Sequence, residues 1–304
     1  MAAIPLILFA ALFFPGIILR TKSVASGRKG PGLLQPLRDI RVLLGKGSVY
    51  STTTGWAFRL APITGLAAIL SVMLVVPFAN MPALIAFDGD IVFFSYMLAT
   101  AKFLMITGAL DTGSSFEGMG ANREALFSML VEPAFLVLMG TFAMLTGFTS
   151  FSGIFMAFHV SDNPIVTVFG LIVIYLIVQI AMIENSRMPV DDPKTHLELT
   201  MVHEVMILDY SGFDKALIHI TSWLKFAVYG SLICSAVFPS EWNPALQVAL
   251  FLMVQFFFAV VVGLAESFRA RKKMQKNAQF ILTLTAVAVL AFLIVLIITD
   301  KLKI

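Results

Sequence analysis

Charge is scarce in this sequence. Charged residues occupy 13% of its 304 positions, about half of the ~25% usual in soluble domains. Hydrophobic residues take 59%, and the mean hydropathy is +0.93. A soluble fold could not hide so much apolar surface behind so few charges. The shortage excludes an ordinary globular enzyme, a disordered chain and a nucleic-acid binder. The net charge of +3 therefore bears on membrane topology, and not on a basic DNA-binding face. Cysteine is almost absent. The single Cys234 excludes a disulfide framework within the chain, and any iron–sulfur or zinc site built from several local thiolates. A cleavable leader pattern is also missing: no basic region precedes the uncharged first 19 residues and no small-residue cleavage site follows. The N-terminus reads as a membrane span.

What is present is a series of long uncharged stretches, each able to supply the ~20 residues that cross a bilayer core. Eight are expected: Met1–Leu19, a stretch within Leu60–Phe87, Ile91–Leu110 around Lys102, Ala125–Phe148 around Glu132, Asn163–Ile183, Ala216–Phe238 around Lys225, Asn243–Ala265 and Asn277–Thr299. The expected fold is an all-α integral membrane protein, one polytopic domain over 1–304. Its cytoplasmic loops fall at about 20–59, 111–124, 184–215 and 266–276. The cations support this count. Seventeen of 21 fall in the loops after the odd-numbered spans, two (Lys301 and Lys303) on the other side, and two within spans. The positive-inside bias places the odd loops in the cytoplasm and both termini outside.

Leu33–Leu44 carries Leu34, Leu37, Arg41 and Leu44 at helical spacing. It reads as a helix on the cytoplasmic membrane interface, or as a solvated linker helix. Asp111–Arg123 has five Gly or Ser among 13 residues and is expected to be a tight loop, with Asn122 capping the fourth span. No internal repeat is visible.

A charge inside a bilayer costs at least ~2.5–3.5 kcal/mol on insertion scales and by default marks function. Lys102 and Glu132 are therefore candidates, either as charges paired to fix packing or, for Glu132 above all, as a proton relay. Seven of the chain's 18 acids lie in the segment Glu184–Asp214. Pro189 and Pro193 bracket an extended turn, and Thr195 precedes an expected amphipathic helix, His196–Leu208, that Gly212 can end. On an unbroken helix Glu198 and Asp209 share a face, ~16 Å apart. A carboxylate ladder in partly apolar surroundings could exchange protons near neutral pH; a solvated loop with ordinary acids is the plainer reading. His196, Glu198, His203 and Glu204 are metal-ligand types, but their spacing does not converge on a site, and none is expected. No phosphate loop, catalytic triad or nucleotide fingerprint is present.

Several blocks carry a resemblance to a known family. They are Gly30-Pro31-Gly32-Leu33-Leu34-Gln35-Pro36 with Arg38-Asp39-Ile40; Leu110-Asp111-Thr112-Gly113-Ser114, Gly118-Met119-Gly120-Ala121, Arg123-Glu124-Ala125 and Val131-Glu132-Pro133; Glu184-Asn185-Ser186-Arg187, Pro189-Val190-Asp191, Glu198-Leu199 and Tyr210-Ser211-Gly212; and, more weakly, Glu266-Ser267 with Ala270-Arg271. The chain resembles the subunit 1 family of respiratory complex I, most closely its branch in energy-converting, membrane-bound [NiFe] hydrogenases of the formate hydrogenlyase and hydrogenase 4 type. It departs from the quinone-reducing members in the short Gly32-Leu33 link before Leu34-Gln35, which weakens a quinone-binding reading. It also departs in the eleven residues from Glu198 to Asp209, where members have about eight, so Glu204 or Asp209 could take the second acidic role.

The resemblance implies a non-catalytic anchor and proton-coupling subunit in the cytoplasmic (inner) membrane. The iron–sulfur small subunit and catalytic large subunit would dock on its cytoplasmic loops, with antiporter-like subunits beside it. The [NiFe] centre and iron–sulfur clusters would belong to those partners, with no cofactor in this chain. Proton-transfer candidates are Glu132, Glu184, Glu198, Glu204, Asp209, Asp191 and Lys102. Docking candidates are Arg28, Lys29, Gln35, Arg38, Asp39, Arg123 and Arg187, with Arg187 positioning its loop by ion pairing. The alternatives are a quinone-site subunit of an NADH:quinone oxidoreductase-like complex and a stand-alone secondary transporter.

Overall fold

The computed structural model describes residues 3–78, 81–158, 164–191, 201–237, 243–269 and 274–298. Its elements are α1 (Ala3–Ala25), α2 (Gln35–Leu44), α3 (Trp56–Val75), α4 (Asp90–Asp111), α5 (Ser115–Thr146), α6 (Phe151–Ala157), α7 (Pro164–Glu184), α8 (His203–Met206), α9 (Gly212–Val237), α10 (Pro244–Phe268) and α11 (Met274–Ile298). Eight of them, α1, α3, α4, α5, α7, α9, α10 and α11, are long and apolar enough to cross a membrane. The chain is a multi-pass membrane protein with the expected spans.

Inside hydrocarbon, moving a leucine from lipid to protein gains little, so close packing and interhelical hydrogen bonds hold such a bundle. The most buried of the spans is α9, with a nearly continuous run from Phe226 to Ala236 packed against its neighbours. It touches α1, α3, α7 and α10. An aromatic group (Phe94, Phe135, Phe151, Tyr229) locks α4, α5, α6 and α9 together by stacked and edge-on contacts. The short helix α6, which the hydropathy pattern does not announce, is held at its first residue: the Phe151 N–H donates to the buried Asp90 carboxylate at 2.8 Å.

The short helix expected within Leu33–Leu44 forms as α2. Along α2, Pro36 and Ile40 are buried while Arg38, Asp39 and Arg41 face outward. The first-turn position of Pro36 suits a residue without an N–H.

Two expectations fail here. The loop expected over Asp111–Arg123 shrinks to Thr112–Ser114, because α5 already begins at Ser115. Asn122 lies inside α5 and caps nothing. Of the glycines that suggested a loop, Gly120 serves packing. A Cβ on Gly120 would overlap the Val205 side chain and lie 2.8 Å from the Val202 carbonyl oxygen, so only glycine lets that segment lie on α5. With 32 residues, α5 is ~48 Å long, and its first turns project beyond a ~30 Å hydrocarbon core.

The other failure is the amphipathic helix His196–Leu208. His196 and Glu198 lie outside the described residues, and the helix that forms is only His203–Met206. Asp209 lies beyond its end, and no helix longer than this forms over 201–211. Tertiary contacts override the periodicity. The Asp191 carboxylate accepts hydrogen bonds from the N–H groups of Val202 (2.9 Å) and His203 (3.1 Å), starting the helix there. Tyr210 then stacks on Phe58 with ring centroids 3.9 Å apart, turning the chain away. Gly212 opens α9 instead of ending the earlier run. Its φ of +49° and the Gly47 carbonyl that a Cβ would strike both require glycine.

Candidate functional site

The charges inside the spans converge. Lys102 projects from the middle of α4, Glu124 and Glu132 from α5, Glu184 from the last residue of α7, and Lys225 from the centre of α9. The Lys102 ammonium lies 2.9 Å from Glu184 Oε1 and 3.5 Å from Glu124 Oε1. The Lys225 ammonium donates to the Glu184 carbonyl oxygen at 3.3 Å and lies 3.9 Å from Glu184 Oε2. The side chains of Lys102, Glu124 and Glu184 are all about 7% exposed or less. The Ser186 hydroxyl donates to Glu124 Oε2 at 2.9 Å, and the Ser222 hydroxyl to Asn185 Oδ1 at 3.3 Å. Buried charges persist only when paired and hydrogen-bonded in this way.

Two small cavities flank the pair. One, of about 60 Å³, is bounded by Glu124, His203, Ser222 and Lys225. The other, of about 100 Å³, is bounded by Ser95, Glu132 and Tyr229. Lys102 and Glu184 line both and so form the partition between them. Each cavity has a few polar groups set in a largely apolar wall and exceeds the ~10–15 Å³ that one water requires. The half-buried Glu132 thus shares a cavity wall with the ion pair.

On the loop side, a second and smaller core holds the segment around α8. Phe58, Ala109, Ala121, Met206, Ile207, Tyr210 and Ile218 pack together. The Tyr210 hydroxyl donates to the Phe58 carbonyl oxygen at 2.9 Å. Asp111 accepts from the N–H groups of Gly55 (2.6 Å) and Phe58 (3.4 Å), capping α3 from the end of α4. The buried Glu117 accepts from the Asp209 N–H at 3.1 Å, and Tyr50 donates to Asp214 at 2.7 Å. That last bond, with burial, raises the Tyr50 phenol above its ordinary value. Burial, followed by the charge of Asp214, raises Tyr210. His203 goes the other way: burial, then the positive charge of Lys225, lowers its imidazole from 6.5 to about 4. It is neutral at pH 7.

Of the residues singled out in the sequence, Lys102, Glu132 and Glu184 meet in this cluster. Asp191 is buried at the start of α8. Glu204 is half-buried on α8, and Asp209 is exposed. Glu198 lies outside the described residues. Arg187 donates to Glu266 Oε1 at 2.9 Å while Lys22 reaches Glu266 Oε2 at 3.4 Å, so one buried acid ties α1, α10 and the loop after α7. Arg123 donates to the Met201 carbonyl oxygen at 2.8 Å, an internal tie of the same loop. Arg28, Lys29, Arg38 and Asp39 are exposed, and Gln35 donates to Asp39 at 2.8 Å. Glu124, Glu117, Glu266 and Lys225 escaped the list of candidates. Two cations inside spans need counter-ions, and that was the available signal for Glu124. Among the described residues, no group of three or more His, Cys, Asp or Glu could hold a metal ion.

An eight-span bundle with a buried lysine–carboxylate cluster and a loop core beside it defines a multi-pass membrane protein with charges built into its interior. Residues 1–297 match the NADH dehydrogenase family, and the chain belongs to it. It is 37% identical over 150 residues to formate hydrogenlyase subunit 4 of Escherichia coli (strain K12), covering 49% of each chain. It is 30% identical over 235 residues to hydrogenase-4 component C of the same organism, covering 77% of this chain and 73% of that one. The chain thus spans about half the length of the first relative in that match. Its fold is similar to a chain in the structure of the membrane-bound sulfane sulfur reductase, an archaeal respiratory membrane complex. The TM-score is 0.81 at 19% identity, covering 96% of this chain and 98% of that one.

Proposed function

We propose that this chain is the membrane-anchor and proton-coupling subunit of a complex I-like redox assembly, a membrane-bound [NiFe] hydrogenase of the formate hydrogenlyase or hydrogenase 4 type. The observation that carries the reading is the buried Lys102–Glu184 pair, which lines two small cavities bounded also by Glu124, His203 and Lys225 on one side and by Glu132 on the other. Three carboxyl groups (Glu124, Glu132 and Glu184) share two ammonium groups (Lys102 and Lys225), so a single proton brings the set to neutrality. Shifting Lys102 between Glu184 and Glu124 would change which acid is left to hold that proton. Proton transfer runs from the cavity beside His203 to the one beside Glu132, and from there to antiporter-like subunits. Asp191, Glu204, Asp209 and Glu198 lie on the loop side of this route.

The iron–sulfur small subunit and the catalytic large subunit dock on the cytoplasmic loops, where Arg28, Lys29, Gln35, Arg38 and Asp39 face outward or partly outward. Their [NiFe] and iron–sulfur centres supply the electron transfer. This chain's part is to hold and move charge. Electron transfer above the loop core displaces the segment around α8, and the clamp made by Asp191, Tyr210 and Glu117 passes that displacement to the buried charges. The chain forms one polytopic domain in the cytoplasmic membrane, with both termini outside.

Glu184→Gln in the assembled complex tests the reading. Assembly should persist while hydrogen evolution and ion pumping both fall. Wild-type levels of both would show that Glu184 has no such role. A second reading has its own observation, an apolar cleft of about 510 Å³ between α1, α2 and α9 that includes Arg41 and Trp223. It suits the quinone-site subunit of an NADH:quinone oxidoreductase-like complex. Labelling of Gln35–Arg41 by a photoaffinity quinone would favour it.

A further inference from the structure

A wide cavity lies away from the charge cluster, on the flank where α1 meets α10. It is a groove of about 680 Å³ whose walls are almost wholly apolar, within the ~300–1,000 Å³ range of small-molecule sites. Phe9 and Phe256 are each about half exposed along it, so it opens sideways toward lipid. Its length and ends are informative. Along α1 its wall rises ~16 Å from Phe9 to Arg20, close to half of a ~30 Å hydrocarbon core, and continues past Arg20 through Thr21, Val24 and Ala25. Toward that end stands one cation, Arg20. Arg20 is exposed, and its guanidinium donates to the Gly30 carbonyl oxygen at a long 3.5 Å. Arg28 and Lys29 follow in the next, exposed loop.

We infer that this groove is a site for one anionic phospholipid. An acyl chain lies along the apolar wall, and the phosphate meets Arg20 at the interface. The stretch from Phe9 to Arg20 is one leaflet long, and Arg20, the charged residue of the lining, is placed at the depth of the headgroups. A guanidinium offers a phosphate paired, charge-assisted hydrogen bonds that a zwitterionic headgroup offsets with its own cation. In the orientation proposed above, the leaflet is the cytoplasmic one. The binding itself does not depend on the coupling role.

Native mass spectrometry of the full-length chain tests this, with phosphatidylglycerol and phosphatidylcholine carrying identical dioleoyl chains. One phosphatidylglycerol should be retained about tenfold more tightly than phosphatidylcholine, as expected for a single charge-assisted contact. Arg20→Gln should bring the two lipids to parity, and Arg20→Lys should keep part of the preference. Ile17→Trp, which fills the groove, should abolish the retained adduct, with helical content measured by circular dichroism to confirm folding. Equal retention of the two lipids by the native chain overturns the inference. So does an unchanged preference in Arg20→Gln, retention by a folded Ile17→Trp, or a helix of another subunit lying in the groove of the assembled complex with no lipid there.

Discussion

Lys102 shows how a single side chain can be both expensive and indispensable. Its ammonium is buried against Glu184 and Glu124. Removing one member of a buried ion pair costs ~3–5 kcal/mol, because the partner is left charged and dry. Lys102→Met should therefore lower the thermal stability of the purified chain sharply, and adding Glu184→Gln should recover part of the loss. Additive losses in the double variant would mean that the two side chains do not interact. His203 makes a different prediction. Its imidazole is lowered from 6.5 to about 4. Between those values the unfolded chain binds a proton that the folded chain rejects. This group's contribution therefore falls as pH drops from 6.5 toward 4, and is constant above 6.5. An NMR titration should find His203 neutral at pH 5.5, and His203→Gln should flatten stability over that window. A midpoint near 6.5 would refute the burial argument.

At the scale of elements, the loop segment around α8 is held by a few specific bonds. Losing the Tyr210 hydroxyl removes one hydrogen bond to Phe58, worth about 1 kcal/mol. Tyr210→Phe should therefore be mild while the ring stack remains. Gly120→Val should be far worse, because its side chain enters space filled by Val205, Val202 and Met206. Hydrogen exchange at residues 201–211 should accelerate strongly in Gly120→Val and slightly in Tyr210→Phe. Equal protection in both would mean that the segment is held from elsewhere. The same packing explains why the sequence pattern misled at two places. Glycines over 111–123 resemble a loop when local propensity is read alone. Gly120 is needed because another part of the chain presses on it, and no local rule carries that information.

For the whole molecule, orientation is the most direct prediction. Cys234 is the only cysteine and is buried, so a Cys234→Ala chain is a clean background for single-cysteine labelling. Ser26→Cys, beyond α1, should react with a membrane-impermeant reagent only from the cytoplasmic side. Ala86→Cys, before α4, should react only from the opposite side. Both positions are exposed. The reverse pattern would overturn the positive-inside assignment.

Hydropathy along the chain determined the eight spans, because crossing a bilayer is a demand each segment meets alone, through its own length and polarity. Amphipathic spacing did the same for α2. The scarcity of charge also marked Lys102 and Glu132, since a costly residue is visible wherever it stands. Which charges meet was decided by folding. Lys102, Glu124, Glu184 and Lys225 come from four helices and are up to 123 positions apart, and partners that distant leave no periodic trace. The expected helix over His196–Leu208 fell to the same cause. Its periodicity was real, but Asp191, Gly120 and the Tyr210–Phe58 stack outweigh the marginal stability of an isolated helix in water.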